Sequence, residues 1–129
     1  MSSVNCLVAP LMTDTLRVER HGPTLVVYLG AVYNSLEEDI LLDAEQFLLT
    51  NADSPETKNL VVDLSGTRYI GSRFIEALFR AHNRIKRKSG RFVLSGVQAH
   101  PAEVIKISKL DTLWPQYPTA AAAVQALAS

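Results

Sequence analysis

The stretch "NLVVDLSGTRYIGSRFIEALFRAHNRIKRKSGRFVLSGV", Asn59 to Val97, decides the fold. It opens on Leu60 to Leu64, short, β-branched and nearly all apolar, the pattern of a strand buried on both faces. The loop "SGTRYIG" follows. From Arg73 to Lys88 the residues Phe74, Ile75, Leu78, Ala81/His82 and Ile85 recur at the helical period, which predicts a helix with one apolar face. Basic residues in the last turn and Gly90 at the C-cap predict where that helix stops. Arg91 to Leu94 then predicts a second strand. A strand, a helix and a strand in so short a span predict a parallel pair with the helix crossing one face.

The same alternation extends outward. Upstream, "TLRVERHGPTLVVYLG" reads as two strands around a tight turn at His21, Gly22 and Pro23. Leu16, Val18 and Arg20 alternate in the first, and Leu25 to Leu29 run apolar in the second. "NSLEEDILLDAEQFLLT" then predicts a helix, with Leu36, Ile40, Asp43/Ala44, Phe47 and Leu48 on one stripe. Ser35 and Glu38 have the spacing of a capping box. Glu37, Glu38 and Asp39 suit the positive end of that helix. "NADSPETKN" reads as the polar connector that ends it. Downstream, "HPAEVIKISKL" predicts a short helix opened by Pro101 in its first turn. "DTLWPQYP" reads as a turn-rich connector, and Thr119 is placed to cap a last helix, Ala120 to Ala128. The expected architecture is an α/β single domain: a mostly parallel central sheet, an antiparallel opening hairpin and about four helices. Residues 1–12 are expected to be a loosely ordered N-terminal extension to a domain over 13–129.

Bulk properties narrow the function. The chain has 129 residues, 47% of them apolar and 20% charged, a composition suited to one globular core. Its formal charge is zero, so no whole-molecule field draws it to nucleic acid or to an anionic membrane. No apolar run approaches the ~18 to 20 residues that cross a bilayer. The start, "MSSVNCLVAPLM", has no Lys or Arg before its apolar part, which argues against a secretory signal. Cys6 is the single cysteine, too few for an internal disulfide or a thiolate metal cluster. The expected location is the cytoplasm.

Motifs for covalent or metal chemistry are missing. No GxSxG elbow surrounds Ser72 or Ser95, and neither HExxH nor a phosphate-cradling glycine loop occurs. Of the three histidines, His21 falls in a turn, His82 beside the apolar face of a helix and His100 before Pro101. The helix placement predicts a packed or rim histidine for His82. The basic run "RIKRKSGR" reads first as a solvated helix end, where cations interact favourably with the dipole. Asp63, at the end of the buried strand, stands where a phosphate-accepting receiver domain keeps its aspartate. A receiver also needs an acidic pair after its first strand, and "YLGAVYN" at the comparable point supplies none. Read from the residues, Ser72 is a helix cap contributing ~0.5 to 2 kcal/mol.

The Asn59–Val97 segment resembles the STAS domain, named for sulphate transporters and anti-sigma factor antagonists. Members show an apolar strand ending in Asp-Leu, a loop, and Asp-Ser-Ser/Thr-Gly opening a helix that closes on a basic, Gly-terminated turn. "ISKLDTLWPQYPTAAAAVQAL" is similar to the family's Leu-Asp-aromatic-Pro connector and last helix, and "VVYLG" to its second strand. The resemblance runs from about Thr13 to Ala128. It implies a protein-binding module of bacterial signalling and not an enzyme, with no cofactor and no bound metal. It implies as partner a serine kinase that doubles as an anti-sigma factor; the zero net charge and short apolar runs already argue against nucleic acid and membrane insertion.

By the same resemblance Ser72 matches the phosphate-accepting serine. Gly71 stands in place of the family's Asp, Arg73 in place of its Ser or Thr, and Phe74 in place of its Gly. The implied partner-binding surface is the loop and helix start: Ser65, Gly66, Thr67, Gly71, Ser72, Arg73 and Phe74. The departures keep a second reading open, a constitutive module never phosphorylated that serves as a subunit of a larger signalling or transport assembly. Phe74 is also placed to join the core stripe with Leu78.

Overall fold

The computed structural model describes residues 17–29, 38–67 and 72–128. Leu16, Ser35 with its capping box, Gly71 and the N-terminal extension lie outside them. Strands β1 (Arg17–His21) and β2 (Thr24–Tyr28) pair antiparallel around Gly22 and Pro23. Helix α1 (Glu38–Asp53) leads to β3 (Asn59–Asp63), and α2 (Ser72–Arg87) leads to β4 (Phe92–Ser95). Helix α3 (Ala99–Ile107), the two-residue β5 (Gln116–Tyr117) and α4 (Ala120–Ala128) complete the order. The sheet runs β1-β2-β3-β4-β5, parallel from β2 onward.

Strand periodicity sorts the core into two layers. Leu25 and Val27, Leu60 and Val62, and Phe92 and Leu94 face a large cluster with Leu48, Phe74, Leu78, Ile85 and Ile105. The residues between them, Val26, Val61 and Val93, face Ala123 and Leu127 of α4. Helices α1, α2 and α3 thus cover one face and α4 the other. Right-handed crossovers in one direction along the sheet require this placement of the first three helices. β3 lies at the centre with all five residues buried.

Helix α2 is tied to α1 by its cations. Arg80 pairs with the buried Glu45 and Arg84 with Asp53. Lys88 donates to the carbonyls of Ser54 at 2.8 Å and Thr57 at 2.7 Å. Of the five cations in the basic run, Arg84 and Lys88 therefore hold α2 to α1 and the connector after it, while Lys86, Arg87 and Arg91 are exposed, as a solvated helix end requires.

Beyond one-residue shifts at several strand and helix ends, these features differ from the sequence reading for local reasons. Helix α1 continues three residues past Thr50, because Ala52 extends the buried series Ala44, Leu48 and Asn51 Nδ2 donates to the Phe47 carbonyl at 2.7 Å. Helix α3 starts at Ala99, with Gln98 as N-cap. Pro101 is its third residue, where a missing N–H costs no helical bond. The connector after α3 contains β5, too short to show any alternation, paired to Leu94 and Ser95. At the end of α2 the left-handed residue is Ser89 (φ 61°) rather than Gly90. Ser89→Gly should remove the Cβ penalty there. The expected gain is about 0.5 to 1 kcal/mol, since a freer unfolded chain offsets part of it. A rise in urea midpoint at unchanged m-value is the check.

Candidate functional site: the loop platform at the end of the sheet

Parallel register sets Asp63, the last residue of β3, beside Ser95, the last of β4. Asp63 is 5% exposed, and a buried carboxylate requires donors. Its Oδ1 accepts the Ser65 backbone N–H at 3.0 Å and the Ser65 hydroxyl at 2.5 Å. Its Oδ2 accepts the Ser95 hydroxyl at 2.8 Å. Thr67 N–H donates to the Leu64 carbonyl at 3.0 Å, closing the turn.

The following loop locks onto this turn. Gln98 Nε2 donates to the Ser65 carbonyl. Gly96 has φ +62°, and a Cβ there would lie 3.0 Å from Ser65 Cβ and 3.3 Å from Asp63 Oδ2. Residues 65–67 and 96–98 therefore form one hydrogen-bonded platform, and the chain from the first of these loops enters α2 at Ser72. All three parallel crossovers lie on one face, so no strand-order reversal opens a ligand crevice at this end. The platform is a surface.

The residues singled out in the sequence separate on this frame. Ser65 and Gly66 are exposed, and Arg73 is half-buried. Ser72 is the first residue of α2. Thr67 is fully buried, and Phe74, at 2% exposure, belongs to the core. Phe74 thus packs inward with Leu78, the second of the two placements its stripe allowed. Ser95, Gly96 and Gln98 were not singled out as a group. Their signal was faint: a serine ending the strand next to a buried aspartate, then a glycine.

Asp63 is enclosed, with both carboxylate oxygens engaged by serines, so its visible role is to hold the platform. Among the described residues no three His, Cys, Asp or Glu side chains gather at metal-binding distance. Also among the described residues, no helix is long and apolar enough to cross a membrane.

His82 is a packed histidine, 8% exposed. Its ring meets Phe79 and Phe92 edge-on, at 6.3 and 5.6 Å between centroids. Its Nδ1 is buried with no hydrogen-bond partner among the described residues. Burial, and secondarily the charge of Lys86, lowers its pKa. The native state thus disfavours the imidazolium, while the unfolded chain takes up its proton near pH 6.5. The neutral histidine's contribution is complete above that value and declines as pH falls below it. Wild-type stability measured by urea unfolding should drop more between pH 7 and pH 5 than that of His82→Phe. Equal slopes would reject this.

The sequence and fold place the chain among known proteins. A family model for the STAS domain matches residues 16–123. Among curated proteins none matches. Of solved structures, an anti-sigma-factor antagonist (STAS) domain protein from Planctomyces limnophilus is 30% identical. It superposes with a TM-score of 0.76, covering 87% of this chain and 96% of that one. An anti-sigma factor antagonist from Mycobacterium paratuberculosis is 23% identical, with a TM-score of 0.71 and coverage of 89% and 94%. The Bacillus cell fate determinant SpoIIAA, in its phosphorylated form, shares the fold at 13% identity and a TM-score of 0.65, with coverage of 85% and 96%. A family match over most of the chain, on a sheet with this strand order, has one consequence: the chain belongs to the STAS domain family.

Proposed function

We propose that this domain is a protein-binding module of a bacterial cytoplasmic signalling circuit, an anti-sigma factor antagonist switched at Ser72. Its partner is a serine kinase that also acts as an anti-sigma factor. The observation that carries this reading is the position of Ser72, first residue of α2, where the chain that leaves the Ser65–Thr67 turn enters the helix. Membership of the family and the phosphorylated form of the SpoIIAA relative support it. A phosphate at this position adds about −1.5 to −2 charge at a helix end whose backbone N–H groups and dipole favour anions. Arg73 lies next along the chain and adds a guanidinium suited to phosphate. The added charge changes the partner surface locally, without any change of fold.

A second reading rests on a specific observation. Phe74 occupies the family's glycine position and is buried in the core, and Gly71 and Arg73 also depart from the usual motif. A module with these changes binds its partner constitutively. The two readings are separated by incubating the protein with host kinases and locating phosphate by peptide mass spectrometry. The switch requires phosphate on Ser72, its loss in Ser72→Ala, and weaker partner binding in Ser72→Glu. No modification, with partner capture unchanged in Ser72→Ala, leaves the constitutive module. An acyl phosphate on Asp63 would contradict both.

A further inference from the structure

At the pole opposite the platform, the end of α2, the Gly90 turn and the segment before β5 border a groove of about 160 Å³. His82, Lys86, Arg91, Phe92, Leu113 and Pro115 are among its walls. Its surroundings are aromatic. Trp114 is fully buried, with the Phe79 and Phe92 rings 5.5 and 5.7 Å from its own. Phe79 and Leu113, each 39% exposed, are two of the four large apolar side chains that reach solvent among the described residues. Apolar groups that cluster at a surface beside a groove mark an interaction site more often than scattered ones do.

The rim has one sign of charge. Arg80 and Arg84 are paired with α1, and Lys88 with the connector that follows it. Among the described residues, Lys86 and Arg91 have no acidic partner and no carboxylate lines the groove. Two uncompensated cations beside an apolar, aromatic wall are complementary to an anion carried next to a hydrophobic group. Nucleic acid would need a broader basic surface. The groove has room for little more than one large side chain.

We propose that this groove is a second docking surface, which takes an acidic segment of a protein partner with a bulky apolar side chain beside its carboxylates. The apolar side chain enters between Leu113 and Phe92, and the carboxylates meet Lys86 and Arg91. This surface uses none of the Ser65–Phe74 residues and stands independently of the Ser72 reading.

The test is selection of a phage-displayed random peptide library against the full chain, then titration with synthetic, tryptophan-free copies of the recovered peptides. Trp114 is the single tryptophan and reports on the groove by its fluorescence. Recovered peptides should pair Asp or Glu with Leu, Ile or Phe and shift Trp114 emission. Affinity should fall at least tenfold in Lys86→Glu/Arg91→Glu and in Leu113→Asp, and stay unchanged in Ser72→Ala. Replacing the peptide's acids by lysine should restore binding to the charge-reversed variant. Unfolding curves establish that each variant is folded. The proposal is overturned by peptides without acidic residues or by undiminished binding to both variants. Attachment to phosphatidylserine vesicles or DNA through Lys86 and Arg91, with no acidic peptide bound, would also overturn it. So would a dimer in sedimentation that these substitutions abolish.

Discussion

Gly90→Ala is expected to destabilise the domain by about 3 kcal/mol or more, at the upper end of what overpacking costs. An added Cβ would fall 1.7 Å from the Lys58 carbonyl oxygen and 2.9 Å from its carbon, with Ile85 Cγ2 at 3.0 Å. The first two atoms are backbone, and both flanks of that backbone are fixed. Lys58 and Asn59 N–H donate to the Pro23 carbonyl at 2.9 and 3.1 Å. The Gly90 N–H donates to the Ile85 carbonyl at 3.0 Å. Neither chain can retreat without breaking bonds that start β3 or end α2. Gly22→Ala gives the contrast, since Gly22 has φ +63° with nothing within 4 Å of a built Cβ. It should cost about 1 to 2 kcal/mol, the conformational penalty alone. Urea unfolding of both variants measures the difference. A loss below 1 kcal/mol for Gly90→Ala would show that the approach relaxes.

Asp63→Ala should cost about 2 to 4 kcal/mol. Hydrogen bonds to a charged group contribute ~1.5 to 3 kcal/mol each but are not additive here. The substitution strips an acceptor from the Ser65 N–H, the Ser65 hydroxyl and the Ser95 hydroxyl at once, and Ser95 is fully buried. Asp63→Asn keeps the shape and one acceptor oxygen, so it should lose roughly half as much. The loss is local as well as global. Amide exchange at Ser65 and Thr67 should accelerate in Asp63→Ala more than exchange at Val61, in the centre of β3. Uniform acceleration would mean that Asp63 stabilises the sheet without organising the platform.

The sequence announced the sheet and its helices wherever apolar residues recur at a clear period. Val61 between Leu60 and Val62 already implied two buried faces, and Thr119 was legible as a cap: its Oγ1 accepts the Ala122 N–H at 3.1 Å. Two residues, as in β5, carry no period. The assignment of Gly90 as the left-handed terminus followed the commonest reason for glycine after a helix. Here Ser89 adopts that conformation, and Gly90 answers a constraint set by Lys58, a distant part of the chain.

The candidate site was legible only in outline. Ser72 was identified by its place before a helical stripe, and that stripe already held Phe74. The platform depends on Asp63, Ser95, Gly96 and Gln98, which only the parallel register brings together. Local sequence does not encode such a meeting. The use of Arg84 and Lys88 against α1 was hidden for the same reason: a basic helix end looks the same whether it faces water or a neighbouring helix.

Under the proposed function, partners bind at the platform and the start of α2. The most direct measurement is photo-crosslinking in the host, with a photoreactive residue in place of Glu76 or, as control, Ala121. Glu76 is exposed one turn into α2, on the Ser72 side. Ala121 is exposed on α4, across the sheet. The Glu76 probe should capture a discrete kinase-sized partner, and the Ala121 probe should not. Capture at Ala121 with none at Glu76 would contradict the proposed function.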